Sequence, residues 1–318
     1  MEKRELGRSG IWVAPFAFGG NVFGWTVDKK NAFELLDVFS AAGFNLIDTA
    51  DVYSTWAPGN RGGESETILG EWLASRKNRD TVVIATKVGK PMGSDKKGLS
   101  KKYIHQAVEA SLKRLQTSYI DLYQSHDDDP SVSMEETLGA FSDLIKEGKV
   151  RAIGASNFTV ERLKKALDTS KANGYARYET FQPAYNLYDR NIEIEIQPLC
   201  LQEKIGIIPY YSLASGFLTG KYRGEQDLHK SVRGKGIQQY LNEKGRKILE
   251  ALDLVASRYN ASPATIALAW LISRPAVVAP LASATTVTQL SDLLKAAEIN
   301  LDPEAMQVLS LEEPVGVS

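Results

Sequence analysis

The sequence predicts an α/β fold, a (β/α)8 TIM barrel, as a single domain over residues 1–318. Three observations carry that prediction. Short apolar runs rich in β-branched residues alternate with amphipathic helical stretches some eight times along the chain. No linker or low-complexity segment interrupts the alternation. Two long stretches rich in Gly and polar residues, near residues 54–63 and 221–240, suit the strand-to-helix loops on which a barrel carries its chemistry. Alternation alone does not fix closure, so a doubly wound parallel sheet is the rival topology.

The expected strands are residues 44–47, 82–85, 120–123, 150–153, 179–182, 205–208 and 277–279, with an eighth near 14–18. One helix carries Ile104, Ala107, Val108, Ser111, Leu112 and Leu115 on one face at 3–4 spacing. Another carries Thr137, Leu138, Phe141, Leu144 and Ile145, with Ser133 and Glu136 as a capping box and Gly148 as its stop. Ser262-Pro263 reads as an N-cap followed by Pro in the first helical position.

Composition narrows the function. Hydrophobic residues make up 43% and charged residues 24%, with a formal net charge of −1. Such a balance argues against nucleic acid or an anionic membrane as the main partner. The single cysteine, Cys200, allows no intrachain disulfide and points to a reducing, cytoplasmic location. One cysteine and three histidines are too few for a common structural zinc cage, so no metal is expected. The first seven residues are charged and lack the apolar stretch of a signal peptide. No run of about 18 apolar residues is present to span a membrane. The expectation is a monomer or weak oligomer acting on a small molecule.

Two glycine-rich segments mislead. Gly19-Gly20-Asn21-Val22-Phe23-Gly24 lacks the spacing of the Rossmann fingerprint. Gly216-Phe217-Leu218-Thr219-Gly220-Lys221 is one residue short of a P-loop, and Tyr222 stands where Ser or Thr would hold Mg²⁺.

The chemistry-bearing pattern lies elsewhere. Asp48, Lys87 and His126 each fall at or just past the end of successive expected strands, and Tyr53 follows Asp48 by five residues. In a barrel these strand ends are neighbours at one mouth. A phenol of pKa ~10 is a poor acid at neutral pH. An ammonium stabilises its phenolate, a carboxylate holds the ammonium, and a neutral imidazole orients a carbonyl oxygen. Together the four suit protonation of a carbonyl oxygen as hydride reaches the carbon.

Five segments in order then resemble the aldo-keto reductases: Phe44-Asn45-Leu46-Ile47-Asp48-Thr49-Ala50-Asp51-Val52-Tyr53, Gly63-Glu64-Ser65-Glu66, Ile84-Ala85-Thr86-Lys87, Asp121-Leu122-Tyr123-Gln124-Ser125-His126 and Gly154-Ala155-Ser156-Asn157-Phe158. The likeness runs from about Arg4 to Leu311 and is to the bacterial branch of the family. It implies reversible, NADPH-linked reduction of an aldehyde or ketone to an alcohol on a (β/α)8 barrel. Tyr53 would be the proton donor, Lys87 its modulator, Asp48 the anchor of Lys87 and His126 the group that orients the carbonyl. Ser156, Asn157 and Gln182 would hold the nicotinamide amide, and Tyr210 would stack on its ring. Leu213, Ser215 and Gly216 would offer backbone to the pyrophosphate, with Lys221 as a charge. By the same likeness Ser283 and Thr285 would fall at the 2′-phosphate site, and Gln289 and Asp292 would flank adenine. Many members carry Arg at the Thr285 position and Asn at the Leu293 position; this chain has neither, so NAD is possible beside NADP.

For substrate, Phe23, Trp25 and Trp56 are expected to crowd the mouth beside Tyr53, with Asp127 just past His126. The segment 59–63 is expected to be mobile. The resemblance leaves open a slow or non-catalytic cofactor-sensing subunit like the potassium-channel β subunits. A barrel of unrelated chemistry, such as a phosphate-binding isomerase, is the third reading.

Overall fold

The computed structural model describes residues 1–231 and 234–311. A short antiparallel hairpin, β1 (Arg4–Glu5) and β2 (Trp12–Val13), precedes the repeat. Strands and helices then follow in turn: β3 (Ala17–Gly19), α1 (Lys29–Ala41), β4 (Leu46–Asp48), α2 (Glu64–Arg76), β5 (Val83–Val88), α3 (Lys101–Leu115), β6 (Ile120–Ser125), α4 (Met134–Lys146), β7 (Val150–Ser156), α5 (Val160–Asn173), β8 (Tyr178–Gln182), α6 (Ile196–Glu203), β9 (Gly206–Ile207), α7 (Glu243–Tyr259), α8 (Pro263–Ile272), β10 (Leu281–Ala282), α9 (Val287–Leu294) and α10 (Pro303–Ser310).

The parallel strands lie in the order β10-β3-β4-β5-β6-β7-β8-β9. Ile207 N donates to Ala276 O (2.8 Å), Val278 N to Ile207 O (2.8 Å) and Leu281 N to Pro209 O (2.9 Å), joining the β9 edge to the segment that leads into β10. The sheet therefore curls back on itself as a barrel, not as the open doubly wound sheet. The last strand lies later than the expected 277–279. Val277 makes an isolated bridge to Ile207, whereas Leu281 and Ala282 pair with β3. That stagger is the shear a closed barrel requires. Pairing of β4 with β3 begins at Leu46, not at residue 44; the Asn45 side chain accepts from Ala14 N and donates to Trp12 O, fastening the hairpin.

Two apolar cores result. Helix faces pack on the outside of the strands, burying Trp72, Phe141 and Trp270. Inside the barrel, Leu6, Ile11 and Val13 of the hairpin region close one end over Leu46, Leu122 and Ile208. Burying each such side chain contributes about 1.5–3 kcal/mol. Asp121, buried at that strand-start end, accepts from Arg79 (2.6 Å), Arg151 (2.7 Å) and Ile84 N (2.9 Å), tying β5, β6 and β7 together.

The helix ends follow the sequence with one exception. Ser262 caps α8 by accepting from Thr265 N, with Pro263 in its first turn. Gly148, at φ 72°, ends α4. Ser133 accepts from Glu136 N (3.1 Å), but the reciprocal half of the expected capping box is diverted. Glu136 Oε1 instead accepts from Lys101 N (2.9 Å), linking α4 to the start of α3.

The α2–α3 contact has no room to spare. A Cβ on Gly70 would lie 2.1 Å from Arg114 O and 2.7 Å from Leu115 C, both backbone atoms. Gly70→Val is therefore expected to destabilise by about 3 kcal/mol, at the upper end for overpacking. Urea unfolding checks it; an unchanged midpoint would refute the close packing.

Candidate active site

Asp48 is the last residue of β4, Lys87 lies near the end of β5, and His126 follows β6 directly. Parallel pairing brings these ends together at the same face. Tyr53 reaches them from a tight turn in which Tyr53 N donates to Ala50 O (3.2 Å) and Asp51 N to Lys87 O (3.4 Å). The turn needs a left-handed residue at Ser54 (φ 72°), which its hydroxyl secures by donating to Phe23 O (2.6 Å).

The four side chains converge. Lys87 Nζ, fully buried, donates to Asp48 Oδ2 (2.6 Å), to Thr49 O (2.9 Å) and to Tyr53 Oη (2.7 Å). Tyr53 Oη lies 3.1 Å from Asp48 Oδ2. The His126 ring meets the Tyr53 ring edge-on at 6.0 Å, and its Nδ1 is buried without a hydrogen-bond partner. Asp48 Oδ1 is held by Gln182 Nε2 (2.9 Å) and Gln124 Nε2 (3.3 Å).

Electrostatics sharpen the roles. Burial, reinforced by the Asp48 carboxylate, holds the Tyr53 phenol well above its ordinary value. The net direction is upward even with the Lys87 ammonium 2.7 Å away. Burial likewise pulls the Lys87 ammonium down, against the pull of Asp48. Burial, then Lys87 and Lys90, push the His126 imidazole well below its ordinary value, so it is neutral at pH 7. The constellation at neutral pH is thus a protonated phenol, a hydrogen-bonded ammonium behind it, and a neutral imidazole beside it. Such a set can deliver a proton to an oxygen on which negative charge is developing.

Of the residues expected to hold a dinucleotide, Gln182 bonds Asp48, Asn157 bonds His126 O, and Tyr210 bonds Asn157. Ser156 donates to Gln182 O (2.8 Å). Asn157, left-handed at φ 60°, donates to His126 O and Asp127 Oδ1 (both 2.9 Å) and accepts from Tyr210 Oη (2.8 Å). The Gln182 amide nitrogen is engaged by Asp48. After Leu213, three consecutive residues have positive φ: Ala214 (47°), Ser215 (57°) and Gly216 (99°). Gly216 N donates to Leu213 O (2.8 Å), and a Cβ at Gly216 would meet the end of Lys221 at 3.8–3.9 Å. Ala214 N is likewise committed, to Tyr211 O (2.7 Å), so the Lys221 cation beside Gly216 is the feature of this loop suited to an anion. Ser283 donates to Gly19 O (2.7 Å) and Asn21 Oδ1 (2.6 Å). Thr285 N and Oγ1 both donate to Gln289 Oε1 (3.0 Å), ahead of the N-cap Thr286 of α9. Asp292 is bound by Ser262 and Thr265.

The residues expected to contact substrate divide. Trp25 and Trp56 meet edge-on at 5.8 Å, and Trp56 lies 6.0 Å from the Tyr53 ring, 47% exposed. Phe23 does not line the mouth: it is fully buried and stacked on Phe18 at 5.4 Å, because its turn directs it into the α1 core. Asp127 does sit at the mouth, 3.7 Å from Lys90, while Asp128 is clasped by Arg162 and Asp129 by Leu99 N and Ser131. The segment 59–63 is pinned: Asn60 donates to Gly24 O and Ser54 O, and Glu64 accepts from Arg61 N and Gly62 N.

Sequence reasoning missed Gln124, Lys90 and Tyr211. Gln124 sits two residues before His126, and strand alternation could have flagged it. Tyr211 is 56% exposed with its ring 5.0 Å from that of Tyr210. Its left-handed backbone (φ 53°) left no pattern to read. Among the described residues no group of three or more His, Cys, Asp and Glu is placed to hold a metal, and no helix is long and apolar enough to cross a membrane.

Comparison with known proteins places the chain in a family. The Aldo/keto reductase family matches residues 15–310. The uncharacterized oxidoreductase YrpG of Bacillus subtilis is 35% identical over 98% of this chain and 95% of its own. The aryl-alcohol dehydrogenase [NADP(+)] of Phanerodontia chrysosporium is 32% identical over 95% of this chain and 83% of its own. Protein tas of Escherichia coli is 31% identical over 96% of each. The chain belongs to the Aldo/keto reductase family and is an oxidoreductase.

Proposed function

We propose that this protein is an NADPH-linked reductase that converts an aldehyde or ketone, with an apolar or aromatic body, to the alcohol. The observation that carries the reading is the contact of Tyr53 Oη with Lys87 Nζ at 2.7 Å beside the His126 ring. The Lys221 cation, beside the left-handed run 214–216, suits a dinucleotide pyrophosphate. A bound NADPH supplies hydride to the carbonyl carbon. The chain's own residues do the rest. His126, neutral, donates a hydrogen bond that orients the carbonyl oxygen. Tyr53 donates the proton, and Lys87 stabilises the phenolate left behind. Asp48, held by Gln124 and Gln182, keeps Lys87 in place. The exposed rings of Trp56 and Tyr211 suit an aromatic substrate face. The name of the aryl-alcohol dehydrogenase relative supports that substrate class. The buried Cys200, whose thiol burial pushes up to about 12, suits a reducing cytoplasm in which it stays inert.

Coenzyme choice rests on Thr285. A 2′-phosphate is recognised best by a bidentate cation, and Thr285 offers instead a hydroxyl already paired with Gln289. Titration by quenching of intrinsic fluorescence is expected to show both NADPH and NADH binding, with NADPH favoured less than about tenfold. Thr285→Arg should then tighten NADPH by about 1.5–3 kcal/mol, the worth of a charged hydrogen bond, and leave NADH unchanged. Quenching by neither coenzyme would sink the reductase reading. Binding without measurable turnover would favour the cofactor-sensing alternative.

A further inference from the structure

Behind the tetrad lies a second carboxyl group with no part in the mechanism above. Asp51 sits between Asp48 and Tyr53 in sequence and is 2% exposed. Its Oδ1 is buried without a hydrogen-bond partner. Its backbone is tied to the tetrad, since Asp51 N donates to Lys87 O.

The groups that act on this carboxyl come from every side. From α2 comes Glu66, fully buried; from α3, Arg114 and Tyr103; from β5, Lys87; from β6, Tyr123. Arg114 does not belong to Asp51. Its Nε donates to Glu66 Oε2 (2.6 Å), while Thr86 Oγ1 donates to Glu66 Oε1 (2.6 Å). Two acids therefore share a site whose one arginine is committed to Glu66. The hydroxyl of Tyr123, the neighbour on the β6 side, is likewise buried and unpartnered. An uncharged Asp51 suits this setting, and an ionised one adds a second carboxylate near the Lys87 ammonium.

We propose that Asp51 is a titratable positioning residue, whose buried carboxyl acts through Lys87 to set the acid strength of Tyr53. The proposal rests on the reductase reading. Burial, with Glu66 adding to it, raises the Asp51 carboxyl to about 8. Below that pH Lys87 faces Asp48 as its only ionised acid partner at the tetrad. Above it, the added negative charge makes phenolate formation at Tyr53 harder, so proton donation weakens.

The test is single-turnover hydride transfer from NADPH to 4-nitrobenzaldehyde between pH 6 and 10, in wild type and in Asp51→Asn. The wild-type rate is expected to fall by about three- to tenfold through pH 8. Asp51→Asn should hold the wild-type low-pH rate across that range. Asp51→Ala, which also removes the titration, must give the same flat profile. Urea unfolding without coenzyme supplies a readout independent of activity. The folded Asp51 value lies above the unfolded 3.8, so its stabilising protonation is complete below pH 3.8 and lost as pH rises through about 8. Relative to Asp51→Asn, the wild-type folding constant should fall about tenfold per pH unit across that window and then level off.

Superimposable hydride-transfer profiles in wild type and Asp51→Asn overturn the proposal, as does a pH-independent difference in urea stability. A wild type that reduces no carbonyl defeats the reductase reading and this proposal with it; that case is recognisable because the urea difference persists.

Discussion

Replacing Tyr53 with Phe is expected to lower carbonyl reduction by about 10²–10⁴-fold, the usual worth of a positioned general acid, while coenzyme affinity stays within a few-fold. The ring keeps its place: it lies 6.0 Å from both Trp56 and His126, and Lys87 Nζ sits 4.5 Å from its centroid. Only the hydroxyl, and its bonds to Lys87 and Asp48, disappears. Because burial keeps this phenol protonated well beyond neutral pH, the proton it donates is present throughout the physiological range. Steady-state kinetics beside a fluorescence titration check the prediction. A variant with wild-type kcat would move the proton donor elsewhere.

Lys87→Met is expected to cost both activity and stability, and so to differ in kind from Tyr53→Phe. Lys87 makes three hydrogen bonds in a fully buried position, to Asp48, Thr49 O and Tyr53. Met fills the space but leaves the Asp48 carboxylate without its cation. Breaking a buried pair from one side costs about 3–5 kcal/mol. Gln182, Gln124 and Tyr53 still donate to Asp48, which places the loss toward the lower end. The phenolate formed on proton donation would also lose its stabilising charge, so reduction should fall at least as far as in Tyr53→Phe. Urea midpoints and single-turnover rates on the same preparation separate the two losses. A Lys87→Met protein as stable as wild type would show that the Asp48–Lys87 contact contributes nothing net to the fold.

Much of this site was legible in the sequence because its parts obey local rules. Asp48, Lys87 and His126 are marked by the ends of apolar β-rich runs, and Ser133 and Ser262 by the cap chemistry of the residues that follow. Those signals depend on a few consecutive side chains. The same locality explains the misses. Glu136 matched a capping box, yet Lys101 N, brought in by the packing of α3 on α4, took its carboxylate. Phe23 looked like a mouth residue, yet its turn sends it into the core against Phe18.

What the sequence marked by itself is the alternation of strands and helices, most of the helix caps, and three residues at strand ends, Asp48, Lys87 and His126, with Tyr53 five residues past the first. The tertiary structure alone decided how the barrel closes, through hydrogen bonds between residues 207–209 and 276–281. It also decided that Gln182 steadies Asp48 from 134 positions away, and that Asp51 shares its site with Glu66. The direction in which Tyr53 is shifted belongs to the same group. Periodicity and capping are properties of neighbouring residues along the chain. Burial and electrostatic potential are properties of a volume, and that volume exists only once separate strand ends have been brought together around it.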